Sequence, residues 1–481
     1  MPAINIIKNQ HLLWRAGFGP SAEQLSELSK YTPVRYYKVL AKASEAKPTY
    51  INVASESLVD MYEGAMDAGA RASLNEADRR NLARMQREAV RDLNLYWLKE
   101  IISSPAQLRE KIAFFWHGHF ANRNQNIFYN QLLLHSIREN ALGNFGTLLK
   151  EVSHSAAMLF FLNNQQNRKG RPNENFAREV MELFTLGRGH YTENDIKEAA
   201  RAFTGWTANN RGEFVFRKNF HDADEKNFMG KKGNFNGDDI LDMLLENKLT
   251  ARYITEKIYR FFVNEKVDEN KVAHLADLFY KTNYDISKLI DSIFTSDWFY
   301  NEKNIGVKIK SPIELLVGMQ RMVPMQLANE NALIQLQRLL GQLLFFPPNV
   351  AGWPGGKSWI DSSTLMARLR IPQMFTDKDE LNLTPKQDDD QQMGRRENAT
   401  AVTRKKNSYG INTTIDWPRY MANYQNVKKE NLMQAIKQNL LQVNAPALEN
   451  ALGKTVDVSS RESYIKTVTI QLMSTPEYQM C

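Results

Sequence analysis

The sequence predicts a mainly α-helical protein: one large multi-helix domain with a small β-hairpin and a long ordered loop rich in proline and glycine. Residues 76–103 have the long-period amphipathic character of a helix. Residues 212–217 are the clearest strand candidate, and we expect them to pair with the segment at Trp206. Residues 347–356 contain too many prolines and glycines for regular structure.

Residues typical of helix starts and helix ends recur along the chain and predict a series of helices. Ser104-Pro105 restarts a helix that leads into a histidine-containing segment. Gly187 is placed to end a helix over residues 173–186, and Thr192 with Asp195 three residues later resembles a capping box. Further helices are expected over residues 127–142, 192–203, 238–245, 251–263, 271–280, 286–294, 431–441 and 461–473.

The predicted elements divide the chain into three parts. Residues 1–375 form a helical core, and residues 415–481 form C-terminal helices that pack on that core. Between them, residues 376–414 are polar and include an Asp388-Asp389-Asp390 run, which is typical of a flexible excursion.

Composition excludes several classes of protein. The 481 residues are 43% hydrophobic with a net charge of +8, which indicates a folded protein. The one cysteine, Cys481, excludes intramolecular disulfides and a cysteine-based zinc site. No apolar run is long enough to cross a bilayer, so we expect no transmembrane segment. No basic–aromatic stripe indicates a nucleic-acid partner, and neither a phosphate-binding glycine loop nor a Gly-x-Ser-x-Gly elbow is present.

The segment from Phe114 to Phe120 places His117 and His119 in an aromatic environment. Imidazole is the commonest metal ligand and the usual acid–base group near neutral pH. A regular helix would direct the two rings about 200° apart, whereas a helix broken at Gly118 would let them converge. The alternative is two unrelated histidines, one in the core and one at a cap.

Arg178, Glu179 and Glu182 lie on one predicted helix, with the two carboxylates three residues apart on one face. Paired carboxylates can hold a metal or divide acid and base roles between them. The alternative is an ordinary surface ion pair between Arg178 and Glu182.

His221-Asp222 follows the predicted strand, and Lys226 comes four residues later. An adjacent carboxylate can ligate a metal or tune the imidazole, and the lysine offers a cation for an anionic substrate. His117, His119, His221 and Asp222 are therefore the candidate ligands of a zinc, iron or manganese ion.

The loop over residues 347–359 presents Trp353 and Trp359 as flat apolar faces, with Asn349 as a polar contact. Such platforms stack against sugar rings or aromatic groups, so these three residues are the candidate substrate contacts. The alternative is a rigid plug over the helical core.

Several motifs together resemble a bacterial family, domain of unknown function 1800, over nearly the whole chain. The motifs occupy residues 13–20, 114–120, 175–187, 200–206, 220–230, 310–314, 347–356 and 474–478. The resemblance implies a mostly helical protein, often exported and commonly encoded beside a sulfatase-like partner of the domain of unknown function 1501 family. The first ten residues lack the basic-then-apolar order of a secretory signal, which leaves the cytoplasm or export with a partner.

The leading hypothesis is a metal-dependent enzyme, a hydrolase or an oxygen-using enzyme, that acts on a polymeric or cell-envelope substrate. Glu179 or Glu182 would be the acid–base group, and Arg178 and Lys226 would orient an anionic group. The first alternative is a non-enzymatic scaffold or partner of a sulfatase-like protein. The second is a metal-free hydrolase that uses paired carboxylates.

Overall fold

The computed structural model describes residues 2–65, 74–376, 411–443, 448, 452 and 456–481. Helices dominate the described residues, which confirms the predicted fold class. The α-helices are α1 (Pro2–Arg15), α2 (Ala22–Leu25), α3 (Pro33–Ala43), α4 (Glu56–Gly64), α5 (Glu76–Ser103), α6 (Gln107–His119), α7 (Ile127–Glu139), α8 (Phe145–His154), α9 (Ala156–Phe161), α10 (Glu174–Glu179), α11 (Glu193–Ala202), α12 (Gly237–Glu246), α13 (Lys248–Phe262), α14 (Glu269–Lys281), α15 (Ile286–Phe294), α16 (Pro312–Met322), α17 (Asn331–Leu340), α18 (Ser362–Met374), α19 (Trp417–Met421), α20 (Leu432–Leu440) and α21 (Arg461–Met473).

Most helices begin at a residue that satisfies the free N–H groups of the first turn. The box predicted at Thr192 is present at the start of α11, where Thr192 and Asp195 bond each other's backbone N–H groups. A second capping box starts α16, because Ser311 and Glu314 are paired in the same way. Among the described residues, no helix combines the length and apolar character that crossing a bilayer requires.

The strands within the described residues form three antiparallel pairs. The predicted hairpin is confirmed: β1 (Trp206–Ala208) pairs with β2 (Phe214–Phe216), with Thr207 opposite Val215. The other pairs are β3 (Lys226–Phe228) with β4 (Lys231–Gly233), and β5 (Met325–Leu327) with β6 (Thr413–Ile415).

The helix predicted over residues 173–186 changes form along its length. It begins as α10 and continues as a π-helix over Val180–Thr185, in which the Leu186 N–H donates to the Met181 carbonyl at 2.9 Å. Single π-turns inside helices are rare and frequently mark functional sites.

Nearly all residues of α6 and α16 are buried, and the apolar side chains of both helices belong to one hydrophobic cluster. Gly318 of α16 lets the ring of Trp14 pack directly on the helix, since a Cβ there would lie 2.1 Å from the ring. Removal of this apolar surface from water is the main favourable term in folding.

The part of the chain after residue 410 contacts the preceding helices. Strand β6 adds to β5, and α21 packs against both α18 and α20. Cys481 exchanges two backbone hydrogen bonds with Lys308, at 2.8 and 3.0 Å. Of the stretch predicted to be a flexible excursion, residues 377–410 lie outside the described residues, and its end belongs to β6.

Candidate functional site

Both histidines of the aromatic segment lie on α6, which continues without a break through Gly118 to His119. The expectation that a break at Gly118 brings the two rings together is therefore wrong. Two residues apart on a regular helix, the rings point to different parts of the molecule.

His117 is part of the core. Its ring packs among Trp97, Phe345 and Trp353, with ring centroids 4.9 to 5.5 Å apart. Its Nε2 accepts a hydrogen bond from the Phe345 N–H at 3.3 Å. Burial lowers the pKa of His117 to about 3, so the ring is neutral at physiological pH.

His119 has a free ring nitrogen. The Phe184 carbonyl lies 3.3 Å from its Nε2, and because a carbonyl only accepts, Nε2 carries the proton and donates it. Its Nδ1 is buried and has no hydrogen-bond partner among the described residues. Burial, and then the positive charge of Lys257, lower the pKa of His119. The neutral ring therefore keeps a lone pair on Nδ1.

His119 lines a cavity of about 390 Å³ beneath the proline- and glycine-rich loop. Its walls come from the end of α6, from α13, from the start of α16 and from the loop. The lining combines aromatic rings with charged side chains, and concave sites of this kind are where small molecules bind. The aromatic residues are Phe114, Phe115, Phe261, Trp353 and Trp359, and the charged residues are Lys257, Arg260, Glu265, Lys308 and Glu314.

Lys257 is the unpaired cation of this cavity. It lies on α13 between Tyr253 and Phe261, each four residues away on the same face, and its ammonium lies 5.2 Å from the centre of the Tyr253 ring. Among the described residues it makes no ion pair and no side-chain hydrogen bond. Burial lowers the pKa of Lys257 to about 8, so a bound anion would replace lost solvation.

A buried ion network forms another wall of the cavity. Glu314 Oε1 lies 2.5 Å from Lys111 Nζ and 3.3 Å from Lys308 Nζ. Burial by itself would raise the pKa of Glu314, but the two lysines outweigh that effect and hold it well below its usual range. The carboxylate is therefore charged, and it is already paired.

The loop closes the cavity by direct contact with α6. Gly352 has φ +84°, and a Cβ there would lie 2.4 Å from the Gly118 carbonyl oxygen. Trp353 is half-buried, and Trp359 is 7% exposed on a short 3₁₀ turn, Gly356–Trp359. Both predicted aromatic contacts thus lie at the cavity. Asn349 is exposed, and its side chain accepts the Ala351 N–H at 2.9 Å, which shapes the turn.

The predicted carboxylate pair lies on α10 and the π-helix, and neither residue lines the cavity. Glu182 is paired with Arg188 and accepts a hydrogen bond from Tyr191 at 3.0 Å. Burial, and then Glu182, raise the pKa of Glu179, whereas for Glu182 the Arg188 partner outweighs burial and lowers it. The predicted pairing of Arg178 with Glu182 is replaced by an ion pair of Arg178 with Glu193 at 2.8 Å.

The candidate residues His221, Asp222 and Lys226 bond to nearby groups and stabilise the loop that contains them. His221 Nδ1 donates to the Thr204 carbonyl at 3.0 Å, and Asp222 accepts from Arg201 at 2.8 Å. Lys226 is 1% exposed, and its ammonium donates to the Asp222 carbonyl at 2.5 Å. The Lys226 ammonium is therefore not accessible to a substrate, as the predicted orienting role would require.

The four predicted metal ligands are not brought together. His117 is enclosed in the core, His119 lines the cavity, and His221 and Asp222 bond to Thr204 and Arg201 respectively. Among the described residues, no three side chains of histidine, cysteine, aspartate or glutamate are grouped so that they could hold a metal ion.

Sequence reasoning missed Lys257, Lys308 and Glu314. Two signals were available. Lys257 interrupts an aromatic stripe at four-residue spacing on α13, and Ser311 with Glu314 has the spacing of a capping box. The spacing could not predict that Lys257 and Lys308 line the same cavity as His119, because that arrangement depends on how the helices pack.

The comparisons with known proteins give one match. A family described as "Protein of unknown function (DUF1800)" matches residues 11–480. No curated protein and no solved structure matches the chain. The expected sulfatase-like partner stays a prediction.

Proposed function

The chain belongs to the DUF1800 family, and we propose that it is a hydrolytic enzyme whose reaction takes place in the cavity beneath the loop. One observation carries the proposal. His119 and Lys257 line the same aromatic cavity; the buried His119 Nδ1 has no hydrogen-bond partner, and Lys257 makes no ion pair, among the described residues. Buried polar groups are almost always paired in proteins, so an unpaired His119 Nδ1 in a residue that lines the same cavity as an unpaired lysine supports a ligand there.

In this proposal His119 is the general base. Nδ1 takes a proton from water or from a substrate hydroxyl. The Phe184 carbonyl, which accepts a hydrogen bond from Nε2–H, orients the ring and stabilises the imidazolium that forms. Lys257 holds an anionic group of the substrate or the negative charge that develops on the attacked oxygen.

The two residues are coupled. Burial, and then the charge of Lys257, lower the pKa of His119, so its ring is a weak base. An anion bound to Lys257 would offset the smaller of these two effects and make His119 a stronger base when a substrate is present. The base is thereby activated by the substrate itself.

The aromatic walls favour a substrate with a flat or ring-shaped part. Trp353 and Trp359 belong to the loop, Phe261 belongs to α13, and all three line the cavity. A ring that bears an anionic group fits both kinds of lining, and such groups are common in polymeric and cell-envelope substrates. Because Trp359 is buried and Trp353 packs on His117, the loop is better suited to a cavity wall than to the interface that a scaffold needs.

The test measures turnover of three aryl esters, p-nitrophenyl phosphate, sulfate and acetate, and of soluble cell-wall fragments. We expect at least one probe to be hydrolysed, with kcat about 10²- to 10⁴-fold lower in His119→Ala. Lys257→Met should mainly raise KM for the anionic probes. The matched controls are His274→Ala and Lys266→Met, which change exposed residues of the same types outside the cavity.

Two outcomes contradict the proposal. One is an absence of turnover across the whole panel. The other is turnover that survives in His119→Ala at the level of His274→Ala, which would place the reaction elsewhere.

A further inference from the structure

A second concave surface, a cleft of about 650 Å³, lies at the hairpin and is separate from the cavity. It is lined by residues 165–168, residues 171–174, residues 205–207, Arg217 and Phe220. Unlike the cavity, it is mostly polar and contains three arginines. We name it the arginine cleft.

Arg168, Arg171 and Arg217 are exposed, and none of them has an ion-pair partner among the described residues. The one carboxylate in the lining, Glu174, is paired with Arg178 at 3.3 Å. Nearby Lys169 is paired with Asp224 at 3.2 Å. The guanidinium groups of the cleft are therefore left without a countercharge, whereas their neighbours are neutralised.

Backbone hydrogen bonds hold the arginines in place. Arg168 and Arg171 are the ends of a turn closed by the Arg171 N–H and the Arg168 carbonyl at 2.9 Å. The Lys169 N–H donates to the Phe220 carbonyl at 2.7 Å. That bond ties the turn to the segment containing Arg217.

Hydrogen bonds of Gly205 also join the segment of Asn167 and Arg168 to the segment of Arg217. Gly205 donates to the Asn167 carbonyl at 3.0 Å and accepts from the Arg217 N–H at 2.8 Å. A Cβ at Gly205 would lie 2.6 Å from the Arg217 carbonyl oxygen, so only glycine permits this approach. The backbone positions of the three arginines are thus held by the fold, and their exposed side chains extend from this frame.

Between the arginines, the lining is rich in carboxamides. Gln165, Gln166 and Asn173 line the cleft, and Gln165 Oε1 is buried without a hydrogen-bond partner among the described residues. An unpaired acceptor of this kind calls for a ligand donor such as a hydroxyl. Phe220 adds an aromatic side chain that is 43% exposed, with the Arg217 guanidinium 6.0 Å from the centre of its ring.

We propose that the arginine cleft binds an acidic polysaccharide, whose sulfate, phosphate or carboxylate groups pair with Arg168, Arg171 and Arg217 while its hydroxyls bond to the carboxamides. Guanidinium groups match these oxyanions in a two-pronged geometry. A single aromatic face suits one sugar ring. A single-stranded nucleic acid would instead call for a series of stacking faces.

The test measures binding of fluorescein-labelled dextran sulfate to the full chain, with uncharged dextran and polyuridylate as comparison polymers. We expect salt-sensitive binding of dextran sulfate and little binding of dextran. The double variant Arg168→Gln/Arg171→Gln should weaken it by about tenfold or more, and Arg217→Gln by a smaller factor. The matched control is Arg35→Gln/Arg87→Gln, which removes the same charge from exposed positions on other helices.

Each other outcome has a definite meaning. No binding by the wild type would overturn the proposal. An equal loss in the control variant would also overturn it, because net charge and not the cleft would then bind the polymer. Tighter, cleft-dependent binding of polyuridylate would assign the cleft to nucleic acid instead. Unchanged thermal unfolding of the variants would show that any loss of binding comes from the missing arginine side chains and not from unfolding of the protein.

Discussion

At the scale of single residues, one wall of the cavity depends on the Glu314 carboxylate, which is the counterion of two lysines. Glu314 is 1% exposed, and its two partners, Lys111 and Lys308, are buried as well. A buried ion pair adds little stability relative to an apolar pair, but removal of one member leaves uncompensated charge. The network therefore makes the cavity wall sensitive to the loss of a single charge.

We predict that Glu314→Gln lowers the free energy of unfolding by about 3–5 kcal/mol, because two buried ammonium groups lose their counterion. Urea denaturation at pH 7 measures the change. The matched control is Glu45→Gln, an exposed glutamate without an ion pair among the described residues, which should change stability by less than about 0.5 kcal/mol. A loss no larger than that of the control would contradict the role of the network.

His117 gives a prediction for pH. Its folded pKa, about 3, lies below the value of about 6.5 expected for an unfolded chain. Below pH 6.5 the unfolded chain takes up a proton that the folded ring does not. The contribution of His117 to stability is therefore complete above pH 6.5 and is lost as the pH falls from 6.5 toward 3.

We expect the unfolding free energy to lose about 1.4 kcal/mol per pH unit to His117 within that window. Denaturant titrations between pH 4.5 and 6.5, compared for wild type and His117→Gln, measure this difference in slope. His274→Gln, at an exposed position, is the control. Parallel slopes for wild type and His117→Gln would contradict the account.

At the scale of elements, the contact of the loop with the end of α6 determines whether the cavity is closed. Gly352 lies against the Gly118 carbonyl with positive φ, whereas Gly355, three residues later, has open space around it and φ −101°. The same loop therefore contains one glycine that has no room for a side chain, Gly352, and one that has, Gly355.

We predict that Gly352→Ala displaces the loop and costs about 1–3 kcal/mol, because a Cβ cannot occupy the space taken by the Gly118 carbonyl. Acrylamide quenching of tryptophan fluorescence should increase as Trp353 and Trp359 become more exposed. Gly355→Ala should leave quenching unchanged. The same quenching in both variants would mean that the loop is not positioned by this contact.

The elements themselves were largely predictable, because each depends on local signals. The capping box at Thr192 and the strand composition of residues 212–217 were sufficient to predict α11 and the hairpin. The π-helix over Val180–Thr185 was not predictable, since its apolar pattern differs little from that of an α-helix.

The site was predictable only in part, and the reason is the same at each residue. His119, Trp353 and Trp359 have conspicuous local surroundings in the sequence, and all three line the cavity. Lys257 comes from a different helix, and its role depends on packing between elements far apart in the chain. His117 does not join His119 at the cavity, because α6 continues through Gly118 and directs the two rings apart.

At the scale of the whole molecule, the last residues of the chain join parts that are distant in sequence. Tyr478 is fully buried, and its ring lies 3.8 Å from the Lys310 ammonium, which also lies 3.8 Å from the ring of Trp14. Lys310 immediately precedes the capping box of α16. The contact therefore links the first helix, a cavity-forming helix and the end of the chain in one core.

We predict that Tyr478→Ala lowers the free energy of unfolding by about 3–5 kcal/mol, the usual cost of removing a buried aromatic side chain. Tyr96→Ala, at a residue that is 54% exposed, is the matched control and should have little effect. Denaturant unfolding followed by circular dichroism measures both. A small effect at Tyr478 would show that the end of the chain is not part of the cooperative core.

The π-helix has a consequence for comparisons within the family. A π-turn contains one residue more than the α-turn it replaces, so a relative with a one-residue deletion within residues 180–185 could keep a helix there. Every later position of that helix would then be rotated by about 100°. The Phe184 carbonyl, which accepts a hydrogen bond from His119 Nε2–H, would turn away from the ring. In an alignment of relatives, a gap at this position should therefore coincide with replacement of the histidine at position 119, and relatives without the gap should retain it.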